Sequence, residues 1–179
     1  MTPQRVYLDV LVPAQRETGQ LWHVGEISIA EERVVSETTR QLLTLISHEH
    51  APEIASDRVV LGASVAGNAH DIGLRVITDL FRLAGWRALF LGADVPPTEI
   101  ARATLLFGAD LVVLNATLEV QLKELSRTIA EIRADAPGTR ILVGGLVFAE
   151  SPELWRQLGA DGYAAEAANA VDVGASLLD

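Results

Sequence analysis

The stretch Arg58-Val59-Val60-Leu61-Gly62, then Gly67-Asn68-Ala69-His70-Asp71-Ile72-Gly73, then Leu74 to Ala84, decides the fold. The first run is apolar and short, as a buried strand requires. The last run is apolar at helical spacing. The polar, glycine-bearing segment between them is therefore a strand-to-helix loop, where open α/β sheets bind their ligands. His70 sits in that loop, three residues before Gly73. A histidine there lies at the carboxyl edge of a sheet, facing a cofactor held at the rim.

Strand and helix patterns alternate downstream of the loop. Strands are expected at 58–64, 87–91, 111–116, 140–144 and 162–164, and helices at 73–84, 97–107, 119–135, 151–158 and 167–178. Gly85, Gly108, Gly138 and Gly159 each follow a helical run, where a capping glycine belongs. The alternation predicts an α/β fold: a flavodoxin- or Rossmann-like five-stranded parallel sheet in the order 2-1-3-4-5. Upstream, residues 4–20 read as a helix that Pro13 kinks or breaks, with Gly19 near its end. Residues 22–26 read as a turn. Ser28 and Glu31 form a capping box that opens one long amphipathic helix from Ile29 to Ile46. These two helices make an N-terminal half-bundle, which needs a third surface to bury both faces. The domains are thus 1–50, a helical half-cap, and 58–179, the α/β domain, with a polar linker at 48–57 containing Pro52.

Composition narrows the function. The chain has 179 residues, 49% of them hydrophobic and 21% charged, with a formal net charge of -10. Such an acidic chain lacks the electrostatic footprint of a nucleic-acid binder, so no direct nucleic-acid contact is expected. No apolar run reaches the roughly 18 residues of a membrane span, and no signal peptide is legible. With no cysteine, disulfides, thiolate metal sites and thioether-linked chromophores are excluded. A cytoplasmic protein is expected. A Walker loop needs Gly-Lys-Ser or Gly-Lys-Thr, and Lys123, the single lysine, falls in a helix. A dinucleotide Gly-x-Gly-x-x-Gly, the acidic cluster of a phospho-receiver and a nucleophile elbow are all missing, so no enzyme is expected.

The motif Asn68-x-His70-x-x-Gly73 resembles the Asp-x-His-x-x-Gly signature of cobalamin-binding domains. The resemblance implies that His70 replaces the cofactor's own benzimidazole as the lower axial cobalt ligand. Asn68 stands where that family has an acid, Ser64, Asp71 and Ile72 flank the ligand, and Gly73 opens the helix. Gly144-Gly145 follows the fourth strand, as a Gly-Gly pair does in cobalamin modules to admit the nucleotide tail. Asn115-Ala116-Thr117 occupies the place of Ser-x-Leu or Ser-x-Thr, so Asn115 and Thr117 are implied tail contacts.

The N-terminal helices resemble the second half of the four-helix cap of light-sensing, cobalamin-dependent repressors of the MerR type. Their motif is Trp, nine residues, then Glu-His. Trp22 and Glu32 match it, and Arg33 stands in place of the His. In those repressors the His takes the upper cobalt position after light removes the adenosyl group. A guanidinium does not deprotonate, so Arg33 is no such ligand. The resemblance implies cobalamin, as adenosylcobalamin, in a photoreceptor module that signals to an output partner. A corrinoid carrier for methyl transfer and a plain cobalamin-binding module remain alternatives. The exposed apolar surface of the half-cap has two completions. One is a homodimer. The other is noncovalent biliverdin, as in the photocobilins, paired with Arg5, Arg16, Arg33 and Arg40.

Overall fold

A computed structural model describes residues 1–50, 53–151 and 153–179. Ala51 and Pro52 of the expected linker, and Pro152 of the expected helix 151–158, lie outside the described residues. The chain divides into two compact units, Met1–Pro52 and Glu53–Asp179.

The first unit is a helical hairpin. α1 (Pro3–Val6), a π-helical turn (Tyr7–Leu11) and α2 (Val12–His23) run end to end. The sequence predicted a kink or break at Pro13; the helical run is not broken there, but it is irregular just upstream. The π turn lies just upstream of Pro13, with the Val12 N–H donating to the Tyr7 carbonyl. A widened turn absorbs the proline's missing N–H and its clash with the preceding turn. Gly19 is accordingly interior to α2 rather than near its end, and α2 takes in Trp22 and His23 of the expected turn. α3 (Ile29–Glu49) extends past the expected end at Ile46 and takes His48 and Glu49 from the linker.

The seam between α2 and α3 is polar. Gln15 Nε2 donates to Thr39 Oγ1 at 2.7 Å, and Ser36 Oγ donates to Gln15 Oε1 at 3.3 Å. Thr18, Ser36 and Thr39 are buried along with Tyr7, Leu11 and Leu43. Many large apolar side chains point outward instead, among them Val10, Ile29, Val34, Leu42 and Leu45.

The expected capping box forms. Glu31 N–H donates to Ser28 Oγ at 3.3 Å, and Ser28 N–H and Oγ–H both donate to Glu31 Oε2 at 2.8 Å. The Ser28 backbone N–H, and then its hydroxyl, hold the Glu31 carboxyl below its ordinary value. A carboxylate with a lowered folded pKa stabilises fully above its unfolded value. That stabilisation is lost as pH falls through the lowered one. Glu31→Ala is therefore expected to destabilise the hairpin at neutral pH and to match wild type in acid. Denaturant melts at the two pH values check this.

The second unit is a parallel α/β layer. Among its described residues, β1 (Val59–Val65), β2 (Arg87–Val95), β3 (Leu111–Asn115), β4 (Arg140–Gly144) and β5 (Gly162–Tyr163) form one sheet in the order β2-β1-β3-β4-β5. Four of the helices between and after them are α4 (Ile72–Leu83), α5 (Pro97–Phe107), α6 (Leu122–Asp135) and α8 (Ala170–Ser176), with a single turn, α7 (Leu154–Gln157), before β5. Side chains alternate across the strands as the pleat dictates. Val59, Leu61, Ala63, Val112, Leu114, Ile141 and Val143 join Ile100, Leu125 and Ile129 of α5 and α6 on one face. Val60, Leu111, Val113 and Leu142 join Leu74 and Phe81 of α4 and Ala170 of α8 on the other. Gly62 lets α4 lie close to β1, since a Cβ there would meet Thr78 Oγ1 at 2.4 Å.

Several boundaries differ from expectation. β2 runs to Val95 rather than 91, because its register against β1 slips between Gly62 and Ala63 and pairing resumes beyond. The expected helices 119–135 and 167–178 each open with a 3₁₀ turn, and 151–158 contracts to α7. Gly85, Gly108 and Gly159 follow helices at positive φ, whereas Gly138 lies in the turn before β4 with φ outside that region. Among the described residues no helix is long and apolar enough to cross a membrane.

Candidate functional site

The carboxyl edge of the sheet lines up as one row. Parallel register sets Ser64 beside Asn115 and Asn115 beside Gly144. Ala63, one residue earlier in β1, pairs with Gly92 of β2. Side chains far apart in sequence thus converge on the loop that carries His70.

Asn68 is the hub of that loop, and its side chain has no exposure to solvent. Its Nδ2 donates to the Asn115 carbonyl at 3.0 Å. The opposite end, Oδ1, accepts from the His70 backbone N–H at 3.1 Å and from Thr117 Oγ1 at 3.3 Å. The same oxygen lies 3.1 Å from His70 Nδ1. An amide oxygen is only an acceptor, so Nδ1 must carry the proton. In a neutral imidazole the lone pair is then on Nε2, the atom free to bind a metal. The His70 side chain itself is exposed. The buried Asn68 amide is thus satisfied at both ends, as a fully desolvated amide must be.

The His70 backbone is held as well. Its carbonyl accepts from Ser64 Oγ at 2.9 Å and from Asn115 Nδ2 at 2.8 Å. The Asn115 amide, expected to meet a nucleotide tail, is thus engaged within the protein. Asp71 is the N-cap residue of α4, Ile72 is the first helical residue and Gly73 the second, one position later than the sequence suggested. At the end of β4, Gly145 has φ 114 and Gly144 lies against the Ala164 carbonyl. The structure therefore brings Ser64, Asn68, His70, Asn115 and Thr117 into one bonded cluster, with Gly144 and Gly145 beside it.

Trp22, Glu32 and Arg33 belong to the other unit. Trp22 is 45% exposed near the end of α2. Glu32 Oε1 accepts from Ser36 Oγ at 2.6 Å, and Arg33 is exposed. Of the arginines offered to a bilin, Arg5 pairs with Asp9 at 3.0 Å and Arg40 with Glu37 at 2.7 Å.

Two site residues escaped the sequence reading. Gln121, buried at the 3₁₀ turn before α6, accepts at Oε1 from the Thr117 and Leu118 N–H groups at 2.7 and 3.0 Å. Its Nε2 donates to the Gly67 carbonyl at 3.0 Å. Nothing in a lone glutamine signals this. Asp94, at the end of β2, accepts from Gly67 N–H at 2.7 Å. A small polar residue able to adopt left-handed backbone, two positions after a strand glycine, was the signal available.

The model of the B12 binding domain family matches residues 58–172, and a second model, also described as a B12 binding domain, matches residues 1–47. The HTH-type transcriptional repressor CarH of Myxococcus xanthus is 28% identical over 146 residues, covering 81% of this chain. The chain spans only about half the length of that repressor, 48%. A corrinoid protein of Desulfitobacterium hafniense is 28% identical over 177 residues, covering 94% of this chain and 80% of that protein. The structure of the Methanosarcina barkeri monomethylamine corrinoid protein superposes with a TM-score of 0.82 at 18% identity, over 99% of this chain and 84% of that one, a likeness of fold.

Proposed function

Because this chain belongs to the B12 binding domain family, we propose that the cobalamin it binds serves as a light sensor, with His70 as the lower cobalt ligand. When bound, cobalamin supplies a cobalt–carbon bond that light can break. The chain's residues fit that group by the chemistry of the donor. A lower ligand must be a neutral nitrogen with an available lone pair, and the Asn68 contact leaves Nε2 of His70 in that state. Protons compete for the same lone pair, so ligation weakens as acid protonates the imidazole.

The observation that carries the sensor reading is the neutral amide behind His70. An acid at position 68 could take up and return a proton each time the imidazole left and rebound the metal. Asn68 cannot, and its bonds to Asn115 and Thr117 hold it in place. With Nδ1 bonded to this fixed oxygen, Nε2 is the ring nitrogen offered as a standing ligand. That suits a module whose change occurs on the opposite, upper face. Trp22 and Glu32, at the spacing the light-sensing repressors use, are the residues of this chain proposed to cover that face. Adenosylcobalamin is the form proposed.

The module works through partners rather than as an enzyme. The outward apolar residues of the hairpin, Val34, Leu42 and Leu45 among them, fit pairing with a second copy, and an output protein reads the rearrangement. Biliverdin is the second chromophore proposed for the same surface, with Arg5, Arg16, Arg33 and Arg40 as the guanidinium groups that would meet its propionates. The corrinoid-carrier reading is favoured by one observation: a corrinoid protein matches 94% of this chain over most of its own length.

The test is an absorption spectrum of the protein loaded with adenosylcobalamin, before and after illumination, with its elution volume in each state. A light-driven spectral change with altered elution is expected. Trp22→Ala is expected to alter the photolysis yield several-fold while cobalamin affinity stays within about threefold, under 1 kcal/mol. A spectrum indifferent to light would remove the sensor reading and leave the carrier. Titration with biliverdin, with and without cobalamin, decides the second chromophore by the presence or absence of a saturable red-shifted band.

A further inference from the structure

The loop bearing His70 is gripped at a residue that has no functional group of its own. Gly67 donates its N–H to Asp94 Oδ1 at 2.7 Å and accepts at its carbonyl from Gln121 Nε2 at 3.0 Å. The next carbonyl, that of Asn68, accepts from the Asp94 N–H at 3.0 Å. The end of β2 and the turn before α6 thus hold the loop from two sides, immediately before the hub residue Asn68.

Asp94 is in an uncommon conformation. Its φ is 54, and among the described residues it is the one non-glycine at positive φ. Left-handed backbone costs an ordinary residue free energy, and aspartate less than most. Glycine would adopt it at no steric cost, but glycine has no carboxylate. The Asp94 carboxylate is what a glycine would lack, and it accepts from the Gly67 N–H. Nearby, β2 slips register against β1, so Asp94 lies where the strand leaves regular pairing before Val65 and Val95 pair again.

We propose that Asp94 is a positioning residue for His70: its carboxylate fixes Gly67, which sets Asn68 so that Oδ1 selects the Nδ1–H tautomer of the imidazole. The consequence for cobalt rests on the cobalamin reading above, whereas tautomer selection is a property of the protein alone. Asp94 touches no cofactor in this scheme. It acts through Gly67 and Asn68, and Gln121 supports the same peptide from the other side.

The experiment reads the imidazole directly. Full-length protein labelled with ¹⁵N-histidine, without cobalamin and at a pH where imidazoles are neutral, gives the His70 tautomer from its ring nitrogen shifts. The His70 signals are those absent from His70→Ala. Wild type is expected to show a single Nδ1–H tautomer. Asp94→Gly keeps the backbone conformation without strain and removes only the carboxylate, so it folds. It is expected to show a mixture of tautomers, and its Kd for hydroxocobalamin is expected to rise about tenfold, the worth of one hydrogen bond. Asp94→Asn retains the acceptor oxygen and is expected to restore both values. An Asp94→Gly protein with a single wild-type tautomer overturns the proposal, as does an Asp94→Asn protein that fails to restore it. Tautomers that follow position 94 in a protein that binds no cobalamin uphold the positioning role and remove the functional reading instead.

Discussion

His70→Ala is expected to abolish the imidazole-ligated spectrum of bound cobalamin and to weaken affinity by about 100-fold. That is the upper end of what removing even an outer partner of a metal-bound histidine costs. The side chain is exposed, so the fold does not depend on it, and stability should change by no more than a surface substitution allows, about 0.5 kcal/mol. The two effects separate cleanly: ligation is lost and stability is kept. Free imidazole added to the variant should restore part of the spectrum by entering the vacated position. An unchanged spectrum in His70→Ala would remove His70 as the ligand, and with it the role argued for Asn68.

Gly145→Ala is the substitution with the largest expected effect on stability. A Cβ there would lie 2.0 Å from the Ala116 carbonyl oxygen and 2.5 Å from Asn115 Oδ1. The first of these is backbone and cannot swing aside. Gly145 also has φ 114 and ψ 168, a region that belongs essentially to glycine. Strain and overlap together should cost about 3 kcal/mol or more, a fall of roughly 10 °C in the melting of the α/β unit. Because Asn115 bonds the His70 carbonyl, the damage should also reach the ligand loop. Gly144→Ala is the internal comparison. Its Cβ would lie 3.3 Å from the Ala164 carbonyl, a tight approach that a small shift relieves. A Gly145→Ala protein that melts with wild type would show that the β3 and β4 loops are not packed as described.

The glycine pair also shows what the sequence could and could not say. Resemblance read Gly144-Gly145 as clearance for a cofactor tail, yet at Gly145 the protein's own backbone already excludes a side chain. Strand order and helix placement were legible, because the apolar runs around Val59, Val112 and Ile141 alternate with helical periodicity and connect in parallel. Pro13 was legible as a local irregularity, but its form was not: the helical run continues through it, with a π turn just upstream. In the site, His70 and Asn68 were legible from spacing. Their mutual geometry was not, since a tautomer is chosen by which end of an amide faces the ring. Gln121 and Asp94 were missed for a related reason. Their work is to satisfy backbone groups of Gly67, 54 and 27 residues away in sequence respectively, and such bonds leave no periodic trace.

The polar seam of the hairpin has a mechanical consequence. Greasy contacts between helices let one rod slide over the other with gradual loss, but Gln15, Ser36 and Thr39 form bonds of fixed reach. Sliding by one turn would strand each of them, at about 1–3 kcal/mol apiece where water is kept out. The two rods therefore resist shear and move together, as the arms of a clamp fixed by a pin.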